Sequence, residues 1–176
     1  MSQKAGIKVG GVFEVSCFDK DGRFKWKDIA ENLVVDAGLN ALLDIMFHGS
    51  TQVSTWYVGL TDGTPTPAAG DTMSSHAGWA EVEAYDEAAR VAYVEAAASG
   101  KSITNSASPA AFTISTDSTT VGGAFLTSVN TKGGTSGTLF CCAAFSQGDK
   151  ACDDGDTVNV TYTLSAADDE IGRAHV

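Results

Sequence analysis

The sequence is poor in histidine, proline and basic residues, and these shortages exclude several kinds of function. Its 176 residues include 3 His, 3 Pro and 4 Cys, and 22 Asp and Glu outnumber 11 Lys and Arg. The resulting net charge of −11 argues against a nucleic-acid partner, because binding to phosphates requires a positively charged face.

Long apolar segments are also missing. No apolar run approaches the roughly 18 residues that a membrane-spanning helix needs, and residues 1–4 lack the apolar segment of a signal peptide. We therefore expect a chain that is made in a cytoplasm and has no membrane partner. A chain of this length is most simply one domain, which buries roughly 70% of its unfolded surface.

Recognisable catalytic and metal-binding motifs are absent from the sequence. It contains neither the G-x-S-x-G turn of a serine nucleophile nor a C-x-x-C pair. Asp62, Asp71 and the acids at 153–156 could offer oxygens to calcium, but acidic turn residues more commonly bond their own backbone. We predict no catalytic, cofactor-binding or metal-binding residues, and no enzymatic activity.

The four cysteines, Cys17, Cys141, Cys142 and Cys152, are predicted to be reduced structural thiols. Cys141 and Cys142 are adjacent, so in a strand their side chains point to opposite faces. That arrangement suits neither a shared metal ion nor a disulfide between the two.

Short alternating segments separated by turns dominate the rest of the chain. Residues 157–164 alternate strictly, and the nearly continuous apolar run at 138–145 predicts a central strand that is covered on both faces. Residues 86–98 are rich in alanine but lack a helical stripe, which favours a strand over a helix. Seven to nine such strands predict a mainly β fold, an antiparallel β-sandwich or barrel-like domain.

One short α-helix is predicted at about residues 36–48. Its apolar residues recur at i, i+3, i+4 and i+7 and share one face: Leu39, Leu42, Leu43 and Met46. The Asp36 carboxylate is predicted to accept backbone N–H groups at the helix start, and Gly49 follows its end.

Residues 1–30 predict an N-terminal arm and a β-hairpin, separate from a sandwich domain at 31–164 and a polar tail at 165–176. The Asp21-Gly22 turn joins two alternating segments into a hairpin with one aromatic face. Lys and Arg crowd this end, which indicates either a solvated face or a contact with an acidic neighbour. Because such a ribbon is marginal alone, we expect it to dock on the main body or on another subunit.

Nine strings of the sequence resemble a family of small virion proteins of tailed bacteriophages and prophages. They are NLVV at 32–35, AGLN at 37–40, LLD at 42–44, STWYVGL at 54–60, AAGDTM at 68–73, HAGW at 76–79, NSASPA at 105–110, VGGAFL at 121–126 and KGGT at 132–135. The resemblance covers about residues 31–164 and carries no catalytic residues. It implies a structural protein, most simply a capsid decoration (cement) protein on the outer shell, and alternatively a tail or fibre component.

The resemblance also implies the partners, which are the major capsid protein and sister subunits in a homo-oligomer such as a trimer. We expect the contacts to come from residues 1–30 and from the Pro-rich loop at 61–80. The predicted contact residues are Phe13, Arg23, Phe24, Lys25, Trp26, Lys27, Pro65, Pro67, His76 and Trp79. In the tail or fibre alternative, an exposed Trp79 and its neighbours would contact a host glycan.

Overall fold

A computed structural model of the protein describes residues 6–168. Within this range the strands are β1 (Ile7–Phe18), β2 (Phe24–Glu31), β3 (Leu33–Val34), β4 (Tyr57–Asp62), β5 (Ala80–Glu81), β6 (Val91–Ala92), β7 (Ser102–Thr104), β8 (Ala110–Thr113), β9 (Thr119–Val121), β10 (Gly123–Thr127), β11 (Leu139–Ala144), β12 (Lys150–Cys152) and β13 (Thr157–Asp168). The helix α1 spans Asp36–Phe47, between β3 and β4. No helix in residues 6–168, α1 included, has the length and the apolar character that a membrane-spanning helix needs.

The two longest strands, β1 and β13, are the centre of a five-stranded antiparallel sheet. They pair along their whole length, from Ile7 opposite Asp168 to Phe18 opposite Thr157. The sheet order is β2-β1-β13-β7, and β8 also pairs with β13. Strict alternation in β13 places Val158, Val160 and Tyr162 in the interior, as a strand with one buried face requires.

A six-stranded antiparallel sheet packs against the first one. Its order is β3-β11-β10-β4-β5, β6 also pairs with β4, and β9 and β12 form a small separate pair. Every residue of β10 is buried, and so is every residue of β11 except Ala144. The predicted mainly β, sandwich-like fold is confirmed, and so is the prediction of a central strand that is covered on both faces.

Two clusters of buried side chains lie on the two faces of the six-stranded sheet. The inner cluster, between the sheets, includes Phe13, Leu60 and Cys141. The outer cluster includes Phe125 and Cys142. Cys141 and Cys142 therefore point to opposite faces of β11, as predicted.

The hairpin predicted at residues 12–27 forms, but it does not stand apart from the sandwich. Its first strand, β1, is central in the five-stranded sheet, and Phe13, Val15 and Cys17 are fully buried. The boundary predicted at residue 30 therefore does not separate two bodies in this structure. The described part of the predicted tail, 165–168, belongs to β13, whereas residues 1–5 and 169–176 of the predicted arm and tail lie outside the described residues.

Helix α1 begins and ends close to the prediction, but it packs through the opposite side. Its buried residue is Gly38, with Ala37, Ala41 and Ile45 half-buried beside it. A side chain at Gly38 would overlap the carbonyl group of Phe140 in β11. The prediction that Asp36 caps the helix is wrong, because the N-cap is Val35 and no side chain caps it.

Segment 86–98 contains the two-residue strand β6 and no helix, in agreement with the favoured prediction. Arg90 anchors this segment, because its buried guanidinium donates to both carboxylate oxygens of Glu81 at 2.8 and 2.6 Å. A little further on, the Tyr93 hydroxyl donates to the carbonyls of Ile103 and Tyr162 at 3.2 and 3.1 Å. These bonds hold Tyr93, which lines the cleft described below.

Candidate interaction surface

The hairpin residues predicted to contact a partner are mostly engaged within the chain. Phe13 is fully buried and stacks on Tyr162, its cross-strand neighbour, with ring centroids 4.3 Å apart. Trp26 is half-buried, packs against Phe145 and donates its indole N–H to the Ala151 carbonyl at 3.3 Å. Phe13 is therefore wrong as a contact residue, because it is buried between the two sheets.

Three cations of the hairpin, Arg23, Lys25 and Lys27, have acidic partners in the same chain. Arg23 pairs with Asp21 at 2.5 Å, and Lys27 pairs with Glu14 at 2.9 Å. Such pairs lower the net positive charge that the sequence pattern concentrates here. This pairing favours the solvated-face interpretation of the hairpin over contact with an acidic neighbour.

Lys25 reaches the acidic turn between β12 and β13. Its ammonium donates to Asp156 at 2.5 Å and to Asp153 at 3.0 Å. The hydrogen bond with Asp156 raises the pKa of Lys25, and the hydrogen bond from Lys25 lowers the pKa of Asp153. Of the predicted hairpin contacts, Arg23, Phe24, Lys25 and Lys27 remain exposed, and Phe24 lies edge-on to Phe18.

The Pro-rich loop covers the outer face of the six-stranded sheet. Trp79 is buried, stacks on His76 with ring centroids 3.8 Å apart and packs against Phe125. Pro65 is also buried, and Pro67 and His76 are half-buried. An exposed Trp79 is therefore a wrong prediction, because the apolar outer face of β10 and β11 needs this loop as its cover.

Five of the eleven large hydrophobic side chains that are exposed in residues 6–168 lie on α1, and none of them is among the predicted contact residues. We call this surface the α1 face; it consists of Leu39, Leu42, Leu43, Met46 and Phe47, exposed at 36%, 37%, 54%, 67% and 81%. The periodic stripe in the sequence was the available signal. The stripe faces outward because α1 approaches β11 closely through Gly38, and large side chains do not fit in that contact.

An open cleft of about 590 Å³ lies beside α1. Most of its lining is apolar: Val9, Leu42, Ile45, Met46, Val53, Trp56, Tyr93, Ala98, Ile103, Leu126, Phe140, Leu164 and Ala166. Glu95 and Lys101 are the charged residues of the lining. Because Leu42 and Met46 belong to both the cleft and the α1 face, the two form one continuous apolar surface.

A buried polar cluster lies at the opposite end of β1 from the cleft, within the inner cluster. Cys17, Cys152 and Asp156 place three donor atoms within 4.8 Å of one another, and the two sulfurs are 3.9 Å apart. The hydrogen bond between the thiols and their burial raise the pKa of Cys17, so this thiol stays protonated at neutral pH. Since Lys25 already binds the Asp156 carboxylate, the cluster is a hydrogen-bonded element of the core, with all four cysteines buried as free thiols.

The chain was compared with models of protein families, with curated proteins and with solved structures. No family model matches, and neither the curated proteins nor the solved structures give a significant match.

Proposed function

We propose that this chain is a structural virion protein of a tailed bacteriophage, and that it acts as a capsid decoration (cement) protein on the outer shell. The sequence resemblance supports the virion setting. The observation that carries an interaction role is the α1 face, five large apolar side chains left exposed on an otherwise packed sandwich. An exposed apolar patch of a few hundred Å² is often a contact site.

The chemistry of the interior is consistent with a protein that works by surface contact. The charged groups described above bind each other: the buried Arg90 pairs with Glu81, and Lys25 pairs with the buried Asp156. The partners proposed are the major capsid protein and sister subunits. A decoration protein binds the virion on the capsid surface after its synthesis in the host cytoplasm.

The proposal is tested by mixing the purified chain with expanded shells that lack it. We expect saturable binding at hundreds of copies per particle and shells that withstand higher temperature before they break. Particles that already carry the chain are the control and should take up little more. Absence of binding to shells would contradict the proposal.

The copy number in intact virions separates decoration from the tail or fibre alternative. Hundreds of copies indicate decoration, whereas a few dozen or fewer indicate a tail part. The glycan contact in that alternative relied on an exposed Trp79, and the burial of this side chain removes that support.

A further inference from the structure

We propose that the α1 face and the adjoining cleft form the surface through which this chain pairs with a second copy of itself. The inference rests on the proposed function for its biological setting and identifies which surface the sister subunits share. Four features favour a second copy as the occupant: the exposed apolar area, the ends of β1 and β13, the residue spacing in α1 and the charges of the cleft.

The exposed apolar area of the α1 face is in the upper part of the range that single chains carry. Leu43, Met46 and Phe47 are more than half exposed, and Leu39 and Leu42 add to them. Together they present on the order of 500 Å², at the upper end of the roughly 300–600 Å² found for the largest patch of a monomer. With the cleft walls added, the surface approaches the roughly 800 Å² per partner of a standard protein interface.

The ends of β1 and β13 extend the apolar surface beyond the cleft. Val9 and Ala166 are paired and both line the cleft. Ile7 lies two residues before Val9 on the same face of the strand and is 78% exposed. A two-stranded ribbon is marginal in water, so a partner that covers Ile7 and the α1 face together stabilises both.

The pattern of α1 suits contact with a like helix. The residues of the α1 face recur at i, i+3, i+4, i+7 and i+8, which is the wide apolar stripe of a helix that packs against a neighbour. All five side chains are uncharged and apolar, so the stripe can pack against the same stripe of a second copy. A two-fold contact uses the same patch on both copies, and this patch meets that requirement.

The cleft carries one acidic and one basic side chain, which suits contact with a second copy. Glu95 and Lys101 both line the cleft, and neither has an ionic partner within residues 6–168. In a two-fold contact, residue i of one copy meets residue j of the other, and the reverse pair forms as well. Glu95 of each copy therefore has an opposite charge available on its partner, at Lys101.

The first test measures the mass of the full chain in solution by sedimentation equilibrium, from about 1 to 100 μM, a range that brackets moderate affinities. We expect a concentration-dependent dimer or larger assembly. Met46→Glu should weaken association at least 100-fold. The matched control Ile29→Glu replaces a 52% exposed residue of β2, outside the cleft lining, and should associate like the wild type.

The second test reverses the charges and does not depend on how Met46→Glu folds. Glu95→Lys and Lys101→Glu should each weaken association about 10-fold, because like charges then meet across the contact. An equimolar mixture of the two variants should recover the wild-type affinity, since unlike charges meet again in the mixed pair.

A wild-type chain that remains monomeric at 100 μM would overturn the inference, whether or not it binds shells. So would a mixture of the charge variants that associates no better than either variant alone, or an Ile29→Glu control as weak as Met46→Glu. A small apolar molecule retained by a monomer in native mass spectrometry would identify a different occupant and overturn the pairing. Conversely, intact self-association without binding to shells would contradict the proposed function alone.

Discussion

The β1–β2 hairpin and helix α1 both carry apolar side chains at regular spacing, but the structure buries one set and exposes the other. In the hairpin, Phe13, Val15 and Cys17 are fully buried between the sheets. In α1, the larger residues of the α1 face point away from the sheet. Amphipathic spacing therefore shows which side chains share a face, whereas the surface available for packing decides whether that face is buried.

The backbone geometry explains the difference. Strand β1 lies between β2 and β13 in the five-stranded sheet, and its inward residues Phe13, Val15 and Cys17 pack against the six-stranded sheet. Helix α1 lies so close to β11 that only the hydrogen of Gly38 fits against the Phe140 carbonyl group. The small side of the helix therefore faces the sheet, and the large side chains stay outside.

Among the substitutions that test this comparison, Phe13→Ala should lower the free energy of unfolding most. We expect a loss of about 3–5 kcal/mol in the free energy of unfolding, because the substitution leaves a cavity beside Tyr162. Chemical denaturation checks it, with Phe24→Ala as the control, since Phe24 is 61% exposed and should lose less than about 1 kcal/mol. Equal losses would show that the hairpin is not part of the core.

Gly38→Ala tests the close approach of α1 to β11. Its methyl group has no room at the Phe140 carbonyl, so we expect a loss of about 1–3 kcal/mol, although alanine favours the helix. Gly70→Ala is the matched control, because that site has open space. If Gly38→Ala is as stable as the wild type in thermal unfolding, the proposed reason for the outward stripe is wrong.

Lys25→Met tests the ion pairs that fasten the hairpin tip. We expect a loss of about 1–2 kcal/mol near pH 7, because the Asp156 carboxylate remains buried without its cation. The lowered pKa of Asp153 contributes stability above its unfolded pKa, and this contribution is lost as the pH falls through the folded pKa. The raised pKa of Lys25 has the opposite sign, with stability present below about pH 10 and lost at higher pH.

The difference between wild type and Lys25→Met should therefore be constant from about pH 5 to 9 and shrink below about pH 4. Denaturation at a series of pH values measures it. Lys27→Met is the control, because its pair with Glu14 is exposed and should contribute less than about 1 kcal/mol. A difference that persists unchanged at pH 2 would contradict the ion-pair account.

Leu43→Ser gives the smallest effect and sharpens the contrast within α1. At a concentration where the chain is monomeric, we expect a change within about 0.5 kcal/mol, because Leu43 is already 54% exposed. Ile45→Ser, two residues on and half-buried against the cleft, should lose more. Thermal unfolding of both variants decides it; a larger loss for Leu43→Ser would mean that α1 packs through its large side chains.

Local patterns predicted the elements of the fold well. The alternation in β13, the apolar run of β11 and the spacing in α1 each reflect a single segment and its own geometry, and the structure confirms them. The opposite directions of Cys141 and Cys142 follow from the two-residue period of a strand. The contact residues were harder to predict, because exposure depends on which distant segment covers a side chain.

Trp79 and Phe13 show this limit most clearly. Each is an aromatic residue in a segment whose sequence predicts a loop or a hairpin. Each is buried because it packs against a distant segment, Phe13 against Tyr162 and Trp79 against Phe125. The amino-acid order determines the strands, the helix and the pairing of side chains on a face, since these depend on neighbours in sequence. Only the assembled sandwich decides that the hairpin is core and the α1 face is surface, because burial depends on contacts between segments that are far apart in the chain, as the buried pair of Phe13 and Tyr162 shows.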